Sequence, residues 1–162
     1  MKNLNLIFIS ELNLHTIVLA RIKTITMDEL ELLARLIKCE ASGEGESGMR
    51  AVASVLMNRV NMDRGEYGRY NTIRDVIFAP RQFECATDQP QSIFNLTPEP
   101  IHYDIAQWAI NGGRLSDTAD ALWFFNPYSA TCRSNFPNQN GYLRTRIGNH
   151  CFYSPNSSYY NT

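Results

Sequence analysis

Apolar positions follow a helical period through most of this chain and give way to short aromatic runs near its end. Leu30, Leu33, Leu36 and Ile37 recur at steps of three and four, predicting a helix from Thr26 to about Glu40 or Ala41. Thr26 and Glu29 have the spacing of a reciprocal N-terminal cap, and Gly43 and Gly45 stop the helix. Met49, Val52, Ala53, Leu56 and Val60 share one face of a second helix, Ser47 to about Val60. Residues 61–70 are polar and read as a loop. Thr72–Phe78 reads as a short helix capped by Thr72 and Asp75 and ended by Pro80. Residues 79–96 show no sustained period and read as a surface loop. Thr97-Pro98-Glu99 opens another helix with Pro98 at its first position, and Gly112-Gly113 closes it. Its buried stripe is Ile101, Ile105, Trp108 and Ala109.

Beyond Asp120 the character changes. Leu122–Phe125 reads as a strand ended by Asn126-Pro127, and residues 142–147 and 151–153 as two more strands around a Gly148-Asn149 turn. Helices come first and a small sheet last, which predicts an α+β domain.

The 162 residues fit a single domain, and a 44% apolar content supplies a core. A formal net charge of -1 gives no electrostatic reason to expect nucleic acid or an anionic membrane as partner. Asn3, Asn5, Glu11 and Asn13 break the apolar run of residues 1–23. That stretch therefore fits neither a cleavable leader nor a membrane span and reads as an N-terminal extension to a domain covering residues 24–162. The four cysteines, Cys39, Cys85, Cys132 and Cys151, form no C-x-x-C pair, and His15, His102 and His150 are dispersed. No metal and no cofactor is therefore expected. Cys132 and Cys151 could close a loop of roughly 20 residues, worth about 3 kcal/mol if oxidised. Four reduced thiols is the equally open alternative.

Aromatic residues make up 11% of the chain, many of them in its second half, and suit a carbohydrate groove. Cutting a glycosidic bond requires a carboxyl that stays protonated near neutral pH. Glu40 is placed for this. It ends the first predicted helix, where the macrodipole disfavours an anion, and the small residues Ala41, Ser42 and Gly43 leave room for a cleft.

The run Glu40-Ala41-Ser42-Gly43-Glu44 with Gly48 resembles the opening motif of the spore cortex-lytic hydrolases of the SleB/CwlJ type. Further blocks keep that family's order: Asn58-Arg59-Val60, then Arg81-Gln82-Phe83-Glu84, then Leu122 to Pro127, then Arg146, Gly148, His150 and Phe152. The resemblance covers roughly residues 24–155, and the Phe124-Phe125 strand and His150-Cys151-Phe152 ending look nearer to the CwlJ branch. It implies a lysozyme-like domain, related to lytic transglycosylases, with a small C-terminal antiparallel sheet. It implies cleavage of peptidoglycan between N-acetylmuramic acid and N-acetylglucosamine during germination, with Glu40 as acid and base. It also implies a cortex substrate bearing muramic-δ-lactam, a place at the spore coat and cortex, and a coat-protein partner.

Glu44 occupies a motif position and is either an auxiliary carboxylate or the residue that holds the turn. Gln82, Phe83, Phe125, Asn126 and Tyr128 are the candidate substrate-binding residues; Phe83 is equally readable as a core anchor. Arg59 is expected to make a structural ion pair, and His150 a hydrogen bond within the hairpin. Two rival readings stay open. One is an amidase or cysteine endopeptidase driven by Cys39 or Cys85 with His150. The other is a non-catalytic wall- or coat-binding protein.

Overall fold

A computed structural model describes residues 29–87, 96–136 and 140–161. The expected extension, the Thr26 cap and residues 88–95 of the expected loop lie outside these residues. The described part of helix α1 covers residues 29–41. It is followed by α2 (Gly45–Val60), a 3-10 turn (Gly65–Tyr67), α3 (Ile73–Ile77), α4 (Glu84–Thr87) and α5 (Pro100–Ile110). Strands β1 (Trp123–Phe125), β2 (Gly141–Ile147) and β3 (His150–Pro155) follow, with a last 3-10 turn at Tyr159–Asn161. Helices precede a small sheet, as the α+β expectation had it. No helix among the described residues is long and apolar enough to cross a membrane.

Helix α2 is the central element. Met49, Val52, Ala53 and Leu56 face a core shared with Leu33, Leu36 and Ile37 of α1, Val76 and Ile77 of α3, and Ile105 and Ala109 of α5. Ala51 and Val55 pack on Ala121 and on Phe152 of β3. Small residues on this helix let the sheet approach closely, and burial on both faces keeps α2 fixed between the two layers. Its start lies two residues earlier than the apolar pattern indicated. Gly45, at φ 70°, makes the turn out of α1, a conformation open to glycine at little cost.

The sheet is antiparallel throughout, in the order β1-β3-β2. Phe124 pairs with Phe152, and a register shift between Leu143 and Thr145 leaves an irregularity in β2. The Gly148-Asn149 turn joins β2 to β3 where the sequence places it. A second hydrophobic cluster of Tyr67, Leu122, Trp123, Tyr153 and Tyr159 closes the far side of the sheet.

Caps explain which local expectations survive. Thr72 accepts from the Asp75 amide at 3.0 Å, and the Asp75 carboxylate accepts from the Thr72 amide at 3.1 Å, the expected reciprocal pair. Glu29 caps a different helix: its Oε1 accepts from the Ile73 amide at 3.0 Å, satisfying the start of α3. Helix α5 begins two residues later than expected. Pro100, not Pro98, takes the first helical position, because Glu99 and His102 supply the cap. Residues 84–87, expected as loop, form the short helix α4.

Cys132 and Cys151 are joined as a disulfide, which ties the segment after β1 to β3. A second disulfide, Cys39–Cys85, ties the end of α1 to α4. It has no counterpart in the spacing argument, because 46 residues separate its ends.

Gly148 has φ 56°, and a Cβ there would lie 2.0 Å from Oε2 of Glu44. Gly148→Ala is expected to destabilise the domain by about 2 kcal/mol, from the backbone conformation and the clash together. Adding Glu44→Ala should make the combined loss smaller than the sum of the two single losses. Strict additivity in urea denaturation would show that the Glu44 contact does not constrain the turn.

Candidate active site

Glu40 stands on the last turn of α1, held by an element whose apolar face is wholly in the core. Its carboxyl is pushed up from 4.5 to about 7. Burial is the largest cause, the charge of Glu84 adds to it, and the charge of Arg59 opposes it. The Sγ of Cys85 lies 3.2 Å from Oε1 of Glu40. That sulfur is part of a disulfide and carries no proton, so the contact desolvates the carboxyl without donating to it. No ion pair to Glu40 is present among the described residues, and at pH 7 about half of the carboxyls still hold their proton.

Arg59 lies in the last turn of α2 and is 4% exposed. Its Nε donates to the Leu122 carbonyl at 2.7 Å and an Nη to Oε1 of Gln82 at 3.1 Å. Its guanidinium lies 4.8 Å from the ring centre of Tyr67 and 5.1 Å from that of Phe83. The expected ion pair is not what holds it. A carbonyl, an amide oxygen and two ring faces stabilise the charge instead, and among the described residues no carboxylate reaches ion-pair distance.

A cleft of about 270 Å³ opens beside this group, lined by Arg59, Glu66, Tyr67, Arg81, Gln82, Trp123, Phe124 and Phe136. Glu40 is not part of its lining; the two are linked through Arg59, whose charge reaches the carboxyl. Gln82 sits in the cleft wall. Its Oε1 accepts from Arg59 and from the Tyr67 hydroxyl at 3.0 Å, and its Nε2 donates to Glu66 at 2.9 Å. The Tyr67 hydroxyl is pushed up to about 12, chiefly by burial. Arg81 holds φ 61° beside these residues, a strained conformation for a residue with a side chain.

The remaining candidates separate. Phe83 is 3% exposed and packs among the helices against Phe124, so it has no face to offer a sugar, and its expected stacking role is corrected to that of a core anchor. Phe125 stacks on Tyr153 at 5.4 Å and is partly buried. Asn126 turns its Oδ1 back to accept from the Tyr128 amide at 2.8 Å. Tyr128 is 92% exposed, at φ 50°. The loop that carries them is tied to β2 by Arg146, which donates to the carbonyls of Ser129 and Ala130.

Glu44 lies apart from Glu40 in role. Its carboxylate accepts from the Asn149 amide at 2.6 Å and from the Asn149 side chain at 3.0 Å, and stands 3.7 Å from Nδ1 of His150. Desolvation raises its pKa, but the Asn149 hydrogen bonds and the charges of His150 and Arg146 outweigh it and hold the carboxyl below its usual range. Glu44 thus pins the β2–β3 turn to the start of α2. The second carboxylate that Glu40 feels is Glu84, from α4, which no local pattern in the sequence marks. Its position beside Cys85, the partner of Cys39, was the only signal, and it becomes legible only once the disulfide is known.

All four cysteines are paired. The thiol-enzyme reading therefore lacks a nucleophile in this structure. Cys39, Glu40 and Cys85 are the one group of described residues with donor atoms close enough to hold a metal ion.

Comparison with known proteins gives this geometry a family. Residues 43–153 match the Cell Wall Hydrolase family. The chain belongs to it. Cell wall hydrolase CwlJ of Bacillus subtilis is 33% identical over 130 residues, 80% of this chain and 87% of that protein. A spore cortex-lytic enzyme of Bacillus cereus is 34% identical over 108 residues, which are 67% of this chain but 38% of that longer relative. The crystal structure of the Bacillus cereus SleB catalytic domain superposes with a TM-score of 0.62 at 33% identity, covering 79% of this chain and 91% of that one. This cell wall hydrolase domain therefore has the expected lysozyme-like fold. Glu40 itself lies just ahead of the first residue of the family match.

The raised pKa of Glu40 carries a stability consequence. Unfolded, the carboxyl ionises around 4.5; folded, it holds its proton up to about 7. Between those values the native state binds a proton that the unfolded chain has released, so stability falls as pH rises through the window. Glu40→Gln removes this loss. The variant should match wild type below pH 4 and exceed it by about 3 kcal/mol at pH 8 in urea denaturation. A difference that is the same at both pH values would contradict the burial argument.

Proposed function

We propose that this domain cleaves the glycan strands of spore-cortex peptidoglycan, with Glu40 as the acid that protonates the sugar–sugar oxygen. One observation carries the reading: a carboxyl at the end of α1, without an ion pair among the described residues, whose proton burial retains up to about pH 7. The same group then takes the proton of the muramic C6 hydroxyl as that oxygen closes a 1,6-anhydro ring, so one carboxyl serves both steps. The engagement of Glu44 with Asn149 supports this lytic transglycosylase route, since that carboxylate is committed elsewhere. Gln82 and Arg81 line the cleft and would donate to acetamido and hydroxyl oxygens, and the exposed Tyr128 would offer a ring face. A relative named as a spore cortex-lytic enzyme, and the Bacillus anthracis SleB domain, a germination-specific lytic transglycosylase, support the same substrate and timing. Selectivity for muramic-δ-lactam, action at the spore coat and cortex, and a coat-protein partner belong to this proposal.

One observation favours a hydrolytic variant. Glu84 is near enough to raise Glu40 and is the carboxylate that could activate water. Mass spectrometry of muropeptides released from purified cortex separates the routes. Glu40→Gln should lower release by about a thousandfold with the fold intact. Wild type should yield anhydromuramic ends, and Glu84→Gln should keep both the product and most of the rate. Reducing ends that vanish in Glu84→Gln would establish hydrolysis instead. Activity should decline as pH rises through about 7, and in Glu84→Gln that decline should begin at lower pH, because a neighbouring negative charge has gone.

A further inference from the structure

The donor atoms of Cys39, Glu40 and Cys85 all lie within 4.8 Å of one another, and each residue is partly exposed. In this structure the two sulfurs are joined, with their Cα atoms 6.6 Å apart. We propose that reduction of the Cys39–Cys85 disulfide converts this cluster into a binding site for a zinc-class divalent cation, with Glu40 as its oxygen ligand.

Two thiolates and a carboxylate form a donor set that borderline-soft cations accept, and three protein ligands leave a fourth position for water. Tetrahedral zinc with bonds of about 2.3 Å to sulfur and 2.1 Å to oxygen holds its two sulfurs about 3.8 Å apart and oxygen about 3.6 Å from each. Oε1 of Glu40 already stands 3.2 Å from Sγ of Cys85. The main movement required is the parting of the two sulfurs, which breaking their bond permits. The ligands come from the end of α1 and from α4, so the ion would replace the disulfide as the tie between these elements. Arg59 opposes a cation here, but two thiolates, Glu40 and the nearby Glu84 outweigh its single charge.

The chemistry balances with a thiol reductant. Two reductant thiols exchange with Cys39–Cys85, yielding two cysteine thiols and one reductant disulfide. Metal binding then displaces the two thiol protons, and the Glu40 proton where it is bound. Once Glu40 ligates the ion it has no proton to donate, so the metal-bound form is silent and reoxidation restores it. That last consequence rests on the acid role proposed above for Glu40; binding of the ion does not.

Cobalt(II) reports the site by its thiolate charge-transfer absorption, independently of lysis. Protein reduced with dithiothreitol, freed of it under anaerobic conditions and titrated with cobalt should bind one equivalent, and oxidised protein none. The Cys39→Ser/Cys85→Ser variant, which keeps Cys132 and Cys151, should show no such absorption. Glu40→Gln keeps both cysteines and should bind cobalt at least about tenfold more weakly, which tests the site even if the double variant misfolds. One equivalent of zinc should cut lysis by reduced wild type at least about tenfold, reversed by a chelator. Absence of cobalt binding, persistence of the absorption in the double variant, undiminished affinity in Glu40→Gln, or collapse of far-UV circular dichroism on reduction would each overturn the metal site. Cobalt binding as expected with lysis unaffected by zinc would leave the site standing and remove Glu40 from catalysis.

Discussion

A carboxyl taken out of water without an opposite charge in contact prefers to be neutral, and the arrangement of this domain follows from keeping one that way. Glu40 sits on a helix whose other face is core, against a disulfide sulfur that fills the space water would occupy. Arg59, the cation close enough to undo the effect, is turned to other partners. Its hydrogen bonds run to Leu122 and Gln82, and its faces are covered by Tyr67 and Phe83. The charge is satisfied without a carboxylate, so it lowers the affinity of Glu40 for its proton only in part.

The same guanidinium joins the layers. Arg59 lies in the last turn of the central helix, Leu122 leads into β1, Gln82 and Phe83 precede α4, and Tyr67 lies in the 3-10 turn. Three other stretches of chain converge on one side chain. Asn58 beside it donates to the carbonyls of Ala119 and Ala121, at 2.9 and 3.0 Å, which holds the approach to β1 against α2. Replacing either residue would loosen the cleft wall and the packing together, because the wall is built from groups that also satisfy the buried polar atoms.

Glu44 shows how a motif position can serve architecture. It closes the gap between α2 and the hairpin with hydrogen bonds to Asn149, across 105 residues of sequence, and it needs a glycine at 148 to do so. Two acidic residues four apart, alike in composition and flanked by similar small residues, are driven to opposite protonation preferences by what packs on them.

Much of the framework is legible in sequence because it depends on near neighbours. The apolar spacing of α1 and α2, the Thr72–Asp75 cap, the β1 strand before Asn126-Pro127 and the glycine turn at 148 are all set by contacts a few residues along the chain. The candidate acid was only faintly marked as a carboxyl at a helix end; the resemblance of its Glu-Ala motif singled it out. What tertiary structure alone decided is who meets whom across 20 to 100 residues. The Cys39–Cys85 bond, the carbonyl and rings around Arg59, the burial of Phe83 and the engagement of Glu44 all arise from elements distant in sequence, and no local period encodes such meetings. The start of α5 marks the boundary between the two. The sequence pattern put Pro98 at the first position, and the Glu99–His102 cap moved it to Pro100. A carboxyl's position in the chain can be read from its neighbours in sequence, but its proton affinity is a property of everything that excludes water from it.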